Sequence, residues 1–311
     1  MKTRGMATIL AITQGLAMAQ SKQPAPAATR VQMVVTVEAR HGNDVPAVAR
    51  ENVLVFQDRA GQKTARLPIV GWVPCQGDNA GMELFILIDD ATNTSLGSQY
   101  QDIRDFVTSQ PFNTAVGIAY MRNGMVDVVQ PLTRDHAKIL TKLRLPMEST
   151  GGNPYLSLSD LIRTWPIGSP RREVLMVTPG STVFDLGGDS FRNIFVDAAI
   201  RDAQRAGVIV HAIYALGAGH SGHSLWSNLW AQTYLAQVAE ETGGEAYSLG
   251  FGAPISLAPY LSSLTVRLAN QYLLTFMATS GGVAGFQPVR IITETPNVEI
   301  ISAPKFYVAK P

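Results

Sequence analysis

Residues 83–109, ELFILIDDATNTSLGSQYQDIRDFVTS, leave this chain few choices of fold. The stretch opens on Leu84-Phe85-Ile86-Leu87-Ile88, too short for a typical helix and unbroken by any polar residue. Such a run suits a strand buried on both faces, at the centre of a parallel sheet. It ends on two carboxylates, Asp89 and Asp90, followed by Thr92, Asn93, Thr94 and Ser95. Beyond them Tyr100, Ile103, Phe106 and Val107 recur at helical spacing, with Asp and Arg on the other face. Open α/β sheets place their binding sites at the carboxyl ends of the strands, where these oxygens fall. The same oxygens suit a hard cation such as Mg²⁺.

From residue 83 onward strand and helix patterns alternate. Strands are predicted at 84–88, 114–120, 124–130, 173–178, 208–214 and 245–248. Helices are predicted at 98–109, 134–143, 154–165, 190–206, 225–241 and 254–269. Arg122-Asn123-Gly124 predicts a hairpin, because Asn-Gly favours the type I′ turn. Ser190 is placed to cap the fourth helix and Gly207 to end it, Gly243 ends the fifth, and Pro254 suits the first turn of the sixth. This alternation specifies a doubly wound sheet with helices on both faces.

The flanks read differently. Short β segments at 31–37, 52–56 and 65–70 precede the α/β part, and others at 272–277, 289–293, 298–301 and 306–308 follow it. Neither flank is large enough to stand comfortably alone. The two are expected to pair into one small antiparallel β-sandwich, from residues 31–75 and 270–311, with the α/β domain (residues 81–269) inserted between them.

A chain of 311 residues, 46% hydrophobic and 16% charged, has ample material for a core. A formal charge of +1 and no basic stripe argue against nucleic acid as a main partner. Lys2 and Arg4 precede a mildly apolar run, residues 6–19, that closes on Ala17-Met18-Ala19. That is the pattern of a secretory signal peptide over residues 1–19, cleaved after Ala19, and it points to a secreted or periplasmic protein. A Pro/Ala linker fills residues 20–30. No later run approaches the roughly 18 apolar residues of a membrane span. Cys75 is the only cysteine, which rules out an intramolecular disulfide and reads as a small packed side chain.

Taken together these segments resemble the von Willebrand factor type A (vWA) domain, in particular its secreted bacterial branch often labelled "VWFA-related". In the α/β part the likeness rests on LFILIDDATNTSLGSQ, STGGNPYLSLSDLI (149–162), REVLMVTPG (172–180), AGVIVHAIYALG (206–217) and AEETGGEAY (239–247). On the flanks, the branch's pattern VVVTVxDxxGxxVxxLxxxxFxVxED resembles residues 34–58, and NQYLLTF (270–276) resembles its first strand after the vWA domain. The resemblance implies a doubly wound, Rossmann-like sheet with one antiparallel edge strand. It also implies a non-enzymatic, adhesion-like module that binds a protein partner.

Proteins of this family typically hold a divalent cation with a D-x-S-x-S loop, a Thr from a second loop and an Asp from a third. The cation then takes a carboxylate from the partner. This chain departs from that pattern at every loop. Read from Asp89 the first loop is D-D-A-T-N; read from Asp90 it is D-A-T-N-T, where Thr92 and Thr94 supply the hydroxyls. The second offers Asn153 in place of Thr, and the third reads Thr178-Pro179-Gly180, with Asp185 or Asp189 as the nearest carboxylates. The resemblance therefore implies a degenerate metal site of Asp89, Asp90, Thr92, Thr94 and Asn153, weak for Mg²⁺ or Mn²⁺, with no cofactor required. Partner-binding loops would carry Asp89, Asp90, Asn153, Pro179 and Asp185. The competing reading has Asp89 and Asp90 capping the next helix and hydrogen-bonding the loop, in a structural scaffold whose contacts lie on the sandwich.

Other signals carry less. Residues 217–222, GAGHSG, match a dinucleotide fingerprint, but on the fifth strand of the fold rather than the first. His220 and His223 lack a third ligand nearby, and no G-x-S-x-G elbow localises a hydrolase triad. His136 and His211 read as structural, the first on an exposed helix. Trp226 and Trp230, one helical turn apart, read as core.

Overall fold

The computed structural model describes residues 28–42, 44–57, 65–149, 152–166, 168–181, 193–218, 225–247, 255–279 and 284–309, with the backbone alone at 225–227 and 279. The amino-terminal flank supplies β1 (Ala28–Ala39), β2 (Val53–Gln57), β3 (Ala65–Leu67) and β4 (Ile69–Pro74). The α/β part runs β5 (Glu83–Asp89), α1 (Tyr100–Ser109), β6 (Ala115–Arg122), β7 (Met125–Thr133), α2 (His136–Leu140), α3 (Pro154–Thr164) and β8 (Arg172–Thr178). It continues with α4 (Ile194–Ala206), β9 (Val208–Tyr214), α5 (Leu225–Thr242), β10 (Ala246–Tyr247) and α6 (Ala258–Ala269). The carboxyl-terminal flank adds β11 (Gln271–Thr279), β12 (Gly285–Thr293), β13 (Val298–Ile301) and β14 (Lys305–Val308).

The six-stranded sheet has the order β10-β9-β8-β5-β6-β7. Every pair is parallel except β6 with β7, the antiparallel edge strand that the resemblance implies. Asn123 and Gly124 turn that hairpin with φ of 53° and 75°, the two positive values a type I′ turn needs. β5 is central, and its apolar run is buried on both faces as the sequence requires. Leu84, Ile86 and Ile88 join Ile103, Phe106 and Val107 of α1 and Leu261, Leu264 and Leu268 of α6. Phe85 and Leu87 join Leu158 and Leu161 of α3, Ala199 and Ala203 of α4, and Leu235 and Val238 of α5.

Helix ends differ from expectation where caps decide them. Asn193, rather than Ser190, caps α4 through a bond from the Phe195 N–H, and Ser190 lies outside the described residues. Pro259 occupies the first turn of α6, where the Asp102 carboxylate receives the N–H groups of Leu257 and Ala258, and Pro254 lies outside the described residues. α2 is five residues long rather than ten, because Asp135 caps it late and the chain leaves the helix to reach the end of β5. Gly207 ends α4 in the left-handed conformation, as its position predicts.

The flanks interleave into two four-stranded antiparallel sheets, β13-β1-β11-β4 and β14-β12-β2-β3. Val31, Val35, Leu274 and Phe276 of the first sheet pack on Val53, Val55, Val289, Ile291 and Phe306 of the second. The single strand expected at 65–70 divides at Pro68, which has no N–H for a ladder, and β3 and β4 enter different sheets. The α/β domain is seated firmly on this sandwich. Arg171, buried at the start of β8, donates to the Gln271 side chain (2.7 Å) and to the carbonyls of Ala80 (2.7 Å) and Leu268 (2.5 Å). One guanidinium thus ties both chain crossings. Arg267 pairs with Glu38 and Glu245, and Arg205 of α4 lies over the Tyr307 ring.

Candidate functional site

The carboxyl ends of β5 and β8 carry Asp89, Asp90 and Thr178, whose side-chain oxygens are already engaged by the protein. Asp89 continues the α3/α4/α5 face of β5. Its Oδ1 accepts the Ala91 N–H (2.9 Å) and its Oδ2 accepts the Thr178 hydroxyl (2.7 Å). Burial pushes its carboxyl up to about 6, against those two bonds. Asp90 is fully buried and turns to the α1/α6 face. There the Arg144 guanidinium meets it as a fork, Nη1 to Oδ1 at 2.6 Å and Nη2 to Oδ2 at 2.9 Å.

Arg144 comes from the irregular segment after α2 and is itself tightly placed. Its guanidinium lies 3.7 Å from the Tyr120 ring centroid. Its carbonyl accepts the hydroxyls of Tyr100 and Tyr120, and its N–H donates to Tyr120 Oη. The same segment bonds Asp90 twice more, through Met147 N–H to Oδ1 (3.3 Å) and Ser149 N–H to the main-chain carbonyl (2.8 Å). The bond to Asp90 holds the guanidinium above its ordinary range.

The remaining candidates have local duties. Thr94 donates both its N–H (3.0 Å) and its hydroxyl (2.9 Å) to Glu148 Oε1, which holds that carboxyl below its usual range. Asn153 caps α3, its Oδ1 accepting the N–H groups of Tyr155 (3.1 Å) and Leu156 (3.2 Å). Asn93 caps the short turn before α1, so neither Asp89 nor Asp90 caps that helix. Thr92 Oγ1 is buried with no hydrogen-bond partner among the described residues. Replacing Asn153 by alanine removes a cap and is expected to cost about 1 kcal/mol in urea unfolding, with Asn153→Asp restoring it.

These residues as they stand do not fit a divalent ion. Asp90 has both oxygens on Arg144, Asp89 has both on protein donors, and Pro179 brings no carboxylate. Among the described residues no three His, Cys, Asp or Glu side chains gather as a metal cluster. Asp185, Asp189, His220 and His223 lie outside them. Asp89, Asp90, Asn153 and Pro179 are all buried, so none presents itself directly to a partner. Exposed apolar side chains lie around them, Leu145 and Met147 beside Arg144, Met125 and Leu156 by the β6–β7 hairpin, and Trp230 on α5, interspersed with exposed Thr94, Ser95, Arg122 and Glu148. Trp230 is therefore a surface residue stacked on Tyr234 rather than core. His136 stands on a largely exposed helix and is itself half-buried, its ring 3.2 Å from the Thr114 carbonyl. His211 is buried in β9, its Nδ1 accepting the Glu245 N–H while Nε2 faces Glu173 at 3.0 Å.

Sequence reasoning passed over Arg144, Tyr120, Glu148 and Thr178 as parts of this site. Thr178 stood in a loop already under scrutiny, at the end of an apolar strand. Arg144 had no such signal.

No family model matches the chain, and no curated protein matches it. Solved structures similar to it include a von Willebrand factor type A protein from Catenulispora acidiphila, at 10% identity and a TM-score of 0.45, covering 92% of this chain and 64% of that one. The vWF domain of the type V pili tip protein Mfa5 from Porphyromonas gingivalis matches at 11% identity and 0.41, over 65% of this chain and 97% of that one. The pilus adhesin SpaC from Lactobacillus rhamnosus GG, in its open conformation, matches at 10% and 0.45 over 74% of this chain. The chain spans 37% of the length of SpaC. The architecture here is vWA-like by its strand order and antiparallel edge, with a β-sandwich added from both flanks.

Proposed function

We propose that the chain is an exported, non-enzymatic protein-binding module that meets its partner at the carboxyl end of the parallel sheet, without a divalent cation. The observation that carries this is the set of exposed apolar side chains, Leu145, Met147, Met125, Leu156 and Trp230, at that end of the sheet. Large apolar and aromatic side chains gathered on a rigid surface are what the centre of a protein interface is made of. The Asp89 and Asp90 carboxylates of the site are buried and internally paired, so they serve as support. The amino-terminal pattern around Lys2, Arg4 and Ala17-Met18-Ala19 supports export, and sequencing the protein from its native cells is expected to begin at Gln20.

The test is a photo-crosslinking side chain placed at Met147, with Ile292 on the outer sandwich face as the comparison, in EDTA. Adducts from position 147 alone are the expected result. Adducts from position 292 alone would favour the scaffold reading, which the rigid Arg171 junction also accommodates.

A further inference from the structure

Asp90 and Thr92 keep the spacing of the first two ligands in a D-x-S loop, and Thr92, which bridges Gly217, has its Oγ1 buried without a partner among the described residues. A carboxylate and an idle hydroxyl are the remains of a cation's surroundings. Yet Asp90 is not idle: a side chain of positive charge faces it along both oxygens. We infer that the Arg144 guanidinium stands in the place of the adhesion-site cation, as a covalently attached ion that neutralises Asp90 permanently.

Three features of Arg144 support the substitution. A guanidinium stays charged, and its planar fork matches the two oxygens of a carboxylate. Its approach is fixed from both sides, by the Tyr120 ring beneath it and by the Tyr100 and Tyr120 hydroxyls on its main chain. A divalent ion bound to Asp90 would lie about 2.0–2.6 Å from its oxygens. The Arg144 nitrogens already stand against both of those oxygens, at 2.6 and 2.9 Å, and their positive charge repels a second cation at that distance. The exchange has a functional consequence. A bound metal offers an open position to a partner's carboxylate, whereas a guanidinium paired to Asp90 offers none and cannot be removed by a chelator. The surface is thus held in one state whatever the metal supply. This inference shares the metal-free site with the proposed function but needs no partner, and its test reads only metal response and stability.

The experiment compares thermal midpoints in EDTA and in 10 mM Mn²⁺ for the wild type, Arg144→Ala, Asp90→Asn and the double variant. The wild type is expected to melt at the same temperature in both. Arg144→Ala leaves Asp90 buried and unpaired and is expected to melt on the order of 10 °C lower in EDTA. Mn²⁺, reaching Asp90 once the guanidinium is gone, is expected to return several degrees of that loss. The double variant is expected to regain stability over Arg144→Ala and to ignore Mn²⁺. Should Arg144→Ala fail to fold in EDTA, its recovery when purified in Mn²⁺ replaces the midpoint as the readout. A wild-type midpoint that rises in Mn²⁺ and stops rising in Asp90→Asn would overturn the inference. So would an Arg144→Ala protein that stays indifferent to Mn²⁺, which would leave a plain ion pair.

Discussion

Arg171→Ala is expected to lower the stability of the whole chain by about 4 kcal/mol, since three buried acceptors lose their donor at roughly 1–3 kcal/mol each. The acceptors are the Gln271 side chain and the carbonyls of Ala80 and Leu268. They belong to the segment leading into β5, the last turn of α6 and the first residue of β11. Arg171 is only 4% exposed, so water cannot readily replace it. For a chain this size the loss corresponds to a midpoint on the order of 10 °C lower. Calorimetry is expected to show the single wild-type transition dividing in two, as the α/β domain and the sandwich lose their common clamp. Arg171→Lys is expected to recover little, because an ammonium cannot span three acceptors set around a planar fork. A variant that melts with the wild type would mean that the sheets alone hold the domains together.

The second large effect is a dependence on pH carried by Asp89. Its folded-state carboxyl titrates at about 6, against an ordinary value of 3.8, mainly because burial penalises the charge. The native state therefore holds this proton more firmly than the unfolded chain does. Its contribution to stability is complete below about pH 4 and is lost as pH rises through 6. A carboxyl raised that far accounts for about 3 kcal/mol at most. Asp89→Asn cannot ionise and keeps an oxygen for the Ala91 N–H. Urea unfolding at intervals from pH 4 to 7.5 is expected to show the variant gaining on the wild type by up to that amount. Burial raises the Glu38 carboxyl as well, so the difference between the two curves is the quantity to read. Parallel curves would place the Asp89 charge in a better-solvated setting than its burial indicates.

Much of the fold is legible in the sequence because its signals are local. Five apolar residues ending in Asp89 mark the central strand, and Asn123-Gly124 fixes the antiparallel edge through positive φ that few other pairs adopt. Gly207 ends α4 for the same kind of reason. Where two local signals compete, one pattern cannot choose between them. Ser190 and Asn193 are both acceptable caps, and Asn193 is the one that takes the extended cap conformation and accepts the Phe195 N–H.

The place of the site was legible too, since strand ends carry binding loops, and so was the departure of each loop from its expected ligands. Its state was not. Arg144 lies 54 residues beyond Asp90, in a segment with no periodicity, and reads as one of many surface basic residues. Only after β6 is paired beside β5 do Tyr120 and Asp90 face the same side and form a slot one guanidinium wide. Likewise Arg171 reads as one of two adjacent arginines ahead of a strand, and becomes a clamp only when both flanks close into a sandwich around it. The order of strands and helices, and which end of the sheet is polar, were legible because they follow from spacing along the chain. Tertiary structure decided which charge neutralises which, because the energy of an ion pair depends on distance and burial in space.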